Sequence, residues 1–241
     1  MAEQEVIKHT EKVFKIWGSK EHSFWHKLQE FFVEIFIIVF AISLSIWFHN
    51  WSEHKSEQKQ VKTFLLGLKH DLQEDMDQTK EIIVQYKHYD TLYSYMSRFS
   101  KDWKPKKDSL DYCVSMLNNN CFLRPNKSRF NGFLSAGKIE HIENDSLVSE
   151  VLYYYQEILP MVGSSEGGWG QFQSYLNDYL VKETKNPENN WSYWEALATP
   201  RGRYFTKHLI PWGQIYERYN FLITQGQSII NLIDKEYPES K

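Results

Sequence analysis

The stretch FFVEIFIIVFAISLSIWFHNW, residues 31–51, decides how the rest of the chain is read. From residue 31 to residue 48 every position is apolar or small except Glu34. As a helix these residues rise roughly 27 Å, close to the ~30 Å hydrocarbon thickness of a bilayer, and a slight extension toward Trp51 closes the gap. The run is apolar on all sides rather than along one stripe, which favours crossing a membrane over lying on it. Trp47 and Trp51 stand where an aromatic belt would meet the interface, with Phe31 and Phe32 at the other end. Thirty residues precede the run and His49-Asn50-Trp51 follow it. A cleaved signal peptide would instead have a short basic lead and small residues at its exit, so the expectation is an uncleaved single-pass anchor. Five lysines lie in residues 1–30 and four in the twenty residues after the span, a slight lean toward a cytoplasmic N-terminus.

Outward from the span, residues 1–30 read as an amphipathic segment on the membrane surface. Its apolar positions include Val6, Val13, Phe14, Ile16, Trp17, Phe24, Trp25 and Leu28, with a break near Gly18. Trp17 joins Trp47 and Trp51 as an expected interfacial aromatic.

On the other side, residues 20–104 contain no proline and one glycine, Gly67. Val61, Leu65, Leu68, Leu72, Met76, Thr79, Ile83 and Tyr86 recur every three or four positions. This predicts that residues 52–104 continue the span as a stalk helix, up to ~75 Å from residue 49 toward Phe99. The acid-rich DLQEDMDQ (71–78) reads as a hydrated face. Pro105 ends the helix.

Residues 105–241 read as a helical bundle packing with the stalk. Helices are expected over about 109–117, over a short stretch stopped by Gly137, from Asp145 or Ser146 to Pro160, over 170–183, and over 212–237. Gly163, Gly167, Gly168 and Gly170 read as a flexible joint. Period-2 alternation is nowhere sustained, so the fold class is all-α.

Two blocks carry a resemblance. Glu34-Ile35 opens the span and Asn50-Trp51 closes it, followed by a helix with Leu65, Leu68, Asp71 and Leu72. The second block is PNKSRFNGFLSAGKIEHIENDSLVSEVLYYY, residues 125–155. Together they resemble an uncharacterised family of single-pass membrane proteins from Bacteroidota, a domain of unknown function, over roughly residues 31–160. The resemblance implies a short cytoplasmic N-terminus and a helical domain in the periplasm. It implies no activity, cofactor or catalytic residue.

The net charge of −3 with interleaved signs gives no basic face for nucleic acid. Glu34 has two readings: a boundary or interhelical hydrogen-bonding group one turn inside the apolar run, or an ion-coupled carboxylate serving a multi-span partner. His22 and His26 are spaced to share a metal on a helix but lack a third ligand nearby, so no metal and no cofactor is expected. Cys113 and Cys121 could form a disulfide only if the NNN at 118–120 folds the chain back and the compartment is oxidising. The glycine cluster lacks the spacing of a phosphate loop. No motif of a hydrolase, zinc protease or cysteine nucleophile is present, so no enzyme activity is expected.

Trp169, Trp191 and Trp194 are candidate partner-binding aromatics, with core packing the competing reading. The sequence points to a structural or adaptor protein held in the bilayer, self-associating and binding envelope membrane proteins. A ligand-sensing module and an ion-coupled accessory subunit are the other classes.

Overall fold

The structure is a computed structural model that describes residues 24–238. The amphipathic segment before residue 24, Trp17 within it, and the His22/His26 pair lie outside the described side chains. Helices account for nearly all regular structure and no strand occurs among the described residues; one isolated bridge joins Ser100 and Trp103. The protein is all-α.

The first helix among the described residues, α1, spans Phe24–Met96. It then turns, with the Phe99 N–H bonded to the Met96 carbonyl, a little before Pro105. The chain divides into two compact units after Gln60. In the first unit α1 exposes its apolar side chains, and it is long and apolar enough there to cross a membrane.

The second unit begins at Val61. Here α1 supplies a buried stripe (Val61, Leu65, Leu68, Leu72, Met76, Thr79, Tyr86, Tyr93) that is part of the core itself. Gly67 falls on this stretch because the Arg129 guanidinium, paired to Asp71 at 2.8 Å, packs directly over it; a Cβ there would sit 2.3 Å from Arg129 Nη1.

Seven further helices complete the bundle: α2 (Lys107–Met116), α3 (Ser128–Ser135), α4 (Asp145–Tyr153), α5 (Leu159–Glu183), α6 (Asn190–Leu197), α7 (Pro200–His208) and α8 (Gly213–Glu236). α3 stops at Gly137, whose φ of 69° is the left-handed conformation that glycine adopts without strain. α4 is capped by Asn144, whose side chain accepts from Leu147 N, rather than by Asp145 or Ser146.

Two expectations are corrected. Pro160 does not end its helix, because a π-turn at Tyr154–Ile158 precedes it and the α-helix resumes at Leu159. Proline removes one N–H and clashes with the carbonyl four residues back, and a widened turn there accommodates both. The glycine cluster is not a joint: Gly163, Gly167, Gly168 and Gly170 all lie inside the 25-residue α5. Leu159, Val162, Glu166, Trp169, Gln173, Leu176 and Leu180 form a buried stripe at alternating three- and four-residue spacing, and that stripe holds the helix in place.

Candidate functional site

Glu34 is buried, 8% exposed, although Val33, Ile35 and Phe36 beside it on α1 are all exposed. Trp47 and Trp51 are also exposed, and the Lys55 ammonium lies 5.3 Å from the Trp51 ring centre. The exposed apolar surface of this part of α1 is the kind of surface that lipid or another helix covers.

The three tryptophans with two competing readings, partner binding and core packing, all pack against the core. Trp169 is fully buried: its Nε1–H donates to the Leu209 carbonyl at 2.9 Å, and the rings of Tyr86, Tyr89 and Tyr93 pack around it. Trp194 is buried and Trp191 half-buried against the core, with Lys104 over both rings at 4.8 and 5.9 Å respectively. The indole of Trp169 fills the centre of the α5 stripe, so it offers nothing to a partner. Cys113 is buried and Cys121 half-buried; both are free thiols, and burial pushes each up to about 11. Neither is a thiolate at neutral pH, so neither is an activated nucleophile. Among the described residues no three His, Cys, Asp or Glu side chains converge on a metal-binding point.

Two buried carboxylates were not legible in the sequence. Asp75 lies in the acid-rich stretch read as hydrated, yet it is 1% exposed. It accepts from Asn126 N at 2.9 Å and Asn126 Nδ2 at 3.1 Å. Burial raises its pKa to about 6 despite these hydrogen bonds. Glu166 on α5 accepts from Leu123 N at 2.8 Å and from the Tyr219 hydroxyl at 2.5 Å; burial raises its pKa too.

Gln78 accepts from Arg124 N at 3.0 Å, while Gln173 donates to the carbonyls of Leu117 and Asn119. Residues 117–127, which form no helix after α2 ends, are thereby tied to the bundle by side chains in place of a ladder. Each backbone group that is satisfied this way removes the cost of burying it unpaired. The signal that could have found these acids is positional: Asp75 and Glu166 both fall on the apolar register of their helices.

An unanticipated surface feature comes from α5 and α7. The Phe172 ring stacks on His208 with centres 5.4 Å apart and meets Tyr175 and Trp212 edge-on, each at 6.0 Å. Tyr204 stands 4.1 Å from His208. Tyr175, Tyr204 and Trp212 are all exposed, so the five rings form an aromatic ledge open to solvent. α7 adds Arg201, Arg203 and Lys207, and residues 196–216 contain no acidic side chain. α7, which supplies two of the five rings, is thus a basic helix in a chain whose net charge is −3; the Arg201 guanidinium lies over the Tyr179 and Phe205 rings. No helix was expected at 200–208, which is why this grouping escaped the sequence.

These features define an all-α protein with, among the described residues, one helix of membrane-crossing length and composition, followed by a bundle tied by buried acids. Residues 34–161, just over half of the chain, match the family of unknown function DUF6090, and the chain belongs to that family. The matched segment opens on Glu34 and takes in Asp75 and residues 117–127, whereas most of α5 and all of α7 lie beyond it. No curated protein and no solved structure matches the chain.

Proposed function

We propose that this protein is a single-pass adaptor of the bacterial inner membrane, with its N-terminus cytoplasmic and its bundle periplasmic, that binds partner proteins in the cell envelope. The observation that carries this reading is the aromatic ledge of Phe172, Tyr175, Tyr204, His208 and Trp212. Tyr175, Tyr204 and Trp212 are exposed, over half-buried Phe172 and His208, on a bundle whose core is already filled by Trp169, Tyr86 and their neighbours. Exposed aromatics beside arginine are the residue types that anchor protein interfaces, and the basic character of α7 selects an acidic partner surface. Residues 31–51 hold the chain in lipid, with Trp47 and Trp51 at the interface. Self-association through this span belongs to the same reading.

Glu34 favours one second reading, an accessory subunit of an ion-driven membrane assembly, because it is buried where its apolar neighbours are exposed.

Anchorage and orientation have a direct test in cells carrying the full chain tagged at either end. The protein is expected to stay in the membrane through alkaline carbonate extraction. Protease added to spheroplasts should remove the C-terminal tag and spare the N-terminal one. Release by carbonate, or loss of the N-terminal tag alone, would reject the assignment.

A further inference from the structure

We propose that the groove between α1 and α2 is a binding site for a saccharide bearing a carboxylate or a phosphate. The groove is a solvent-open depression of about 440 Å³, room for one or two sugar rings lying against its walls. Tyr95 and Tyr112 line it with aromatic surface, and the Tyr112 hydroxyl is hydrogen-bonded to His88 Nε2. That bond fixes the Tyr112 ring against the imidazole, 5.9 Å between centres, and gives the groove a pre-set wall. Leu92 and Cys113, both buried, form part of the lining, so a ring entering the groove meets apolar atoms.

Polar groups are distributed as a sugar requires. The Ser109 hydroxyl lines the same groove and can donate to or accept from ring hydroxyls; the Thr91 hydroxyl, which donates to the Lys87 carbonyl, and the Asp108 carboxylate can accept from them. An apolar face flanked by short polar side chains matches a pyranose, which has an apolar C–H face and a hydroxyl edge.

The anionic substituent follows from the cations. Arg98 lines the groove and holds its guanidinium 5.6 Å over the Tyr95 ring. It is exposed, and a planar guanidinium pairs a carboxylate or phosphate through two parallel hydrogen bonds. Residues 98–111 (RFSKDWKPKKDSLD) hold five cations against three acids, one of which, Asp108, lines the groove on the side of α2, so Arg98 at the end of α1 is the cation that selects the anionic group. Lys107 is committed to Asp111 and Lys104 lies over Trp191 and Trp194, whereas Lys101 and Lys106 are exposed beside the groove in sequence. Trp103, exposed and edge-on to Tyr95 at 5.4 Å, extends the aromatic wall outward. A long anionic glycan would meet the same chemistry along this segment. The groove shares no residue with the ledge on α5 and α7, so either assignment can fail alone.

The test is equilibrium binding to the full chain in a detergent without a sugar headgroup, followed by calorimetry or saturation-transfer NMR. The probes are glucuronate, glucose 6-phosphate, glucose and inorganic phosphate. Both anionic sugars are expected to bind with millimolar or tighter dissociation constants, at least about tenfold tighter than glucose or inorganic phosphate. Arg98→Gln and Tyr112→Ser, both at exposed positions, should each weaken them by about tenfold with an unchanged melting temperature. Four results would overturn the proposal: no saturable binding of either anionic sugar, inorganic phosphate binding as tightly as glucose 6-phosphate, glucose binding as tightly as glucuronate, or affinities unaltered in Arg98→Gln.

Discussion

Replacing Trp169 with alanine is expected to lower the melting temperature of the bundle by roughly 8–16 °C, the shift that a loss of about 4 kcal/mol produces in a domain of this size. The indole is wholly buried, and Tyr86, Tyr89 and Tyr93 of α1 pack on it at 5.3, 5.2 and 6.1 Å between ring centres. Alanine leaves a cavity that these rings, fixed along one continuous helix, close only in part. It also strands the Leu209 carbonyl, which loses its 2.9 Å donor. Trp169→Phe separates the two effects: it keeps most of the volume and removes only the donor, so its cost should be about 1–2 kcal/mol. Thermal unfolding followed by near-UV circular dichroism measures both. A shift in Trp169→Ala of less than about 3 °C would show that α5 is not seated on α1 as described.

The second large effect is on pH dependence. Asp75 has its pKa raised to about 6 in the fold from an ordinary value of 3.8. The folded protein therefore holds this proton more tightly than the unfolded chain. The resulting stabilisation is fully present below the unfolded value and is lost as pH rises through the folded one. Between about pH 4 and pH 7, stability should fall as pH rises, by on the order of 1–2 kcal/mol from this group; Asn126 above it is exposed, so solvent screening reduces the ideal value.

Asp75→Asn retains an oxygen acceptor for Asn126 N and cannot ionise. Subtracting its stability-versus-pH curve from the wild-type curve should leave a step in this window. Glu166, shifted in the same direction, leaves its own contribution in both curves. Chemical denaturation at a series of pH values checks this, and superimposable curves would mean that Asp75 is solvated in solution.

The architecture was legible where periodicity is strong. The 31–51 run and the stripe from Val61 to Tyr86 announce α1, since no proline and a single glycine interrupt them. The stretch from Leu159 to Glu183 was misread because four glycines weigh heavily against a helix by local propensity, at about 1 kcal/mol each. Burial of the intervening Glu166, Trp169 and Gln173 overrides that propensity. α6 and α7 are short, eight and nine residues, and unlike the equally short α3 before Gly137 neither ends on a glycine stop that would mark it in the sequence.

The candidate sites were less legible than the fold. Whether Trp169 faces a partner or the core, and whether Asp75 is hydrated or buried, depends on which helix crosses above it. The ledge depends on α5 and α7 meeting, a contact between Phe172 and His208, 36 positions apart. Local pattern carries no record of such meetings.

The docking surface proposed for an envelope partner is the ledge. The most direct measurement is purification of the tagged full chain from native membranes in mild detergent, with quantitative mass spectrometry, beside a Tyr175→Ser/Tyr204→Ser double variant and Glu34→Gln. Both tyrosines are exposed, so the double variant should fold. The expected result is a stoichiometric envelope protein with the wild type, lost in the double variant and retained in Glu34→Gln. Loss of a multi-span partner in Glu34→Gln alone would transfer the binding role to the Glu34 carboxylate. Recovery of only the protein itself, or of the same partner undiminished by the double variant, would contradict the ledge as the docking surface.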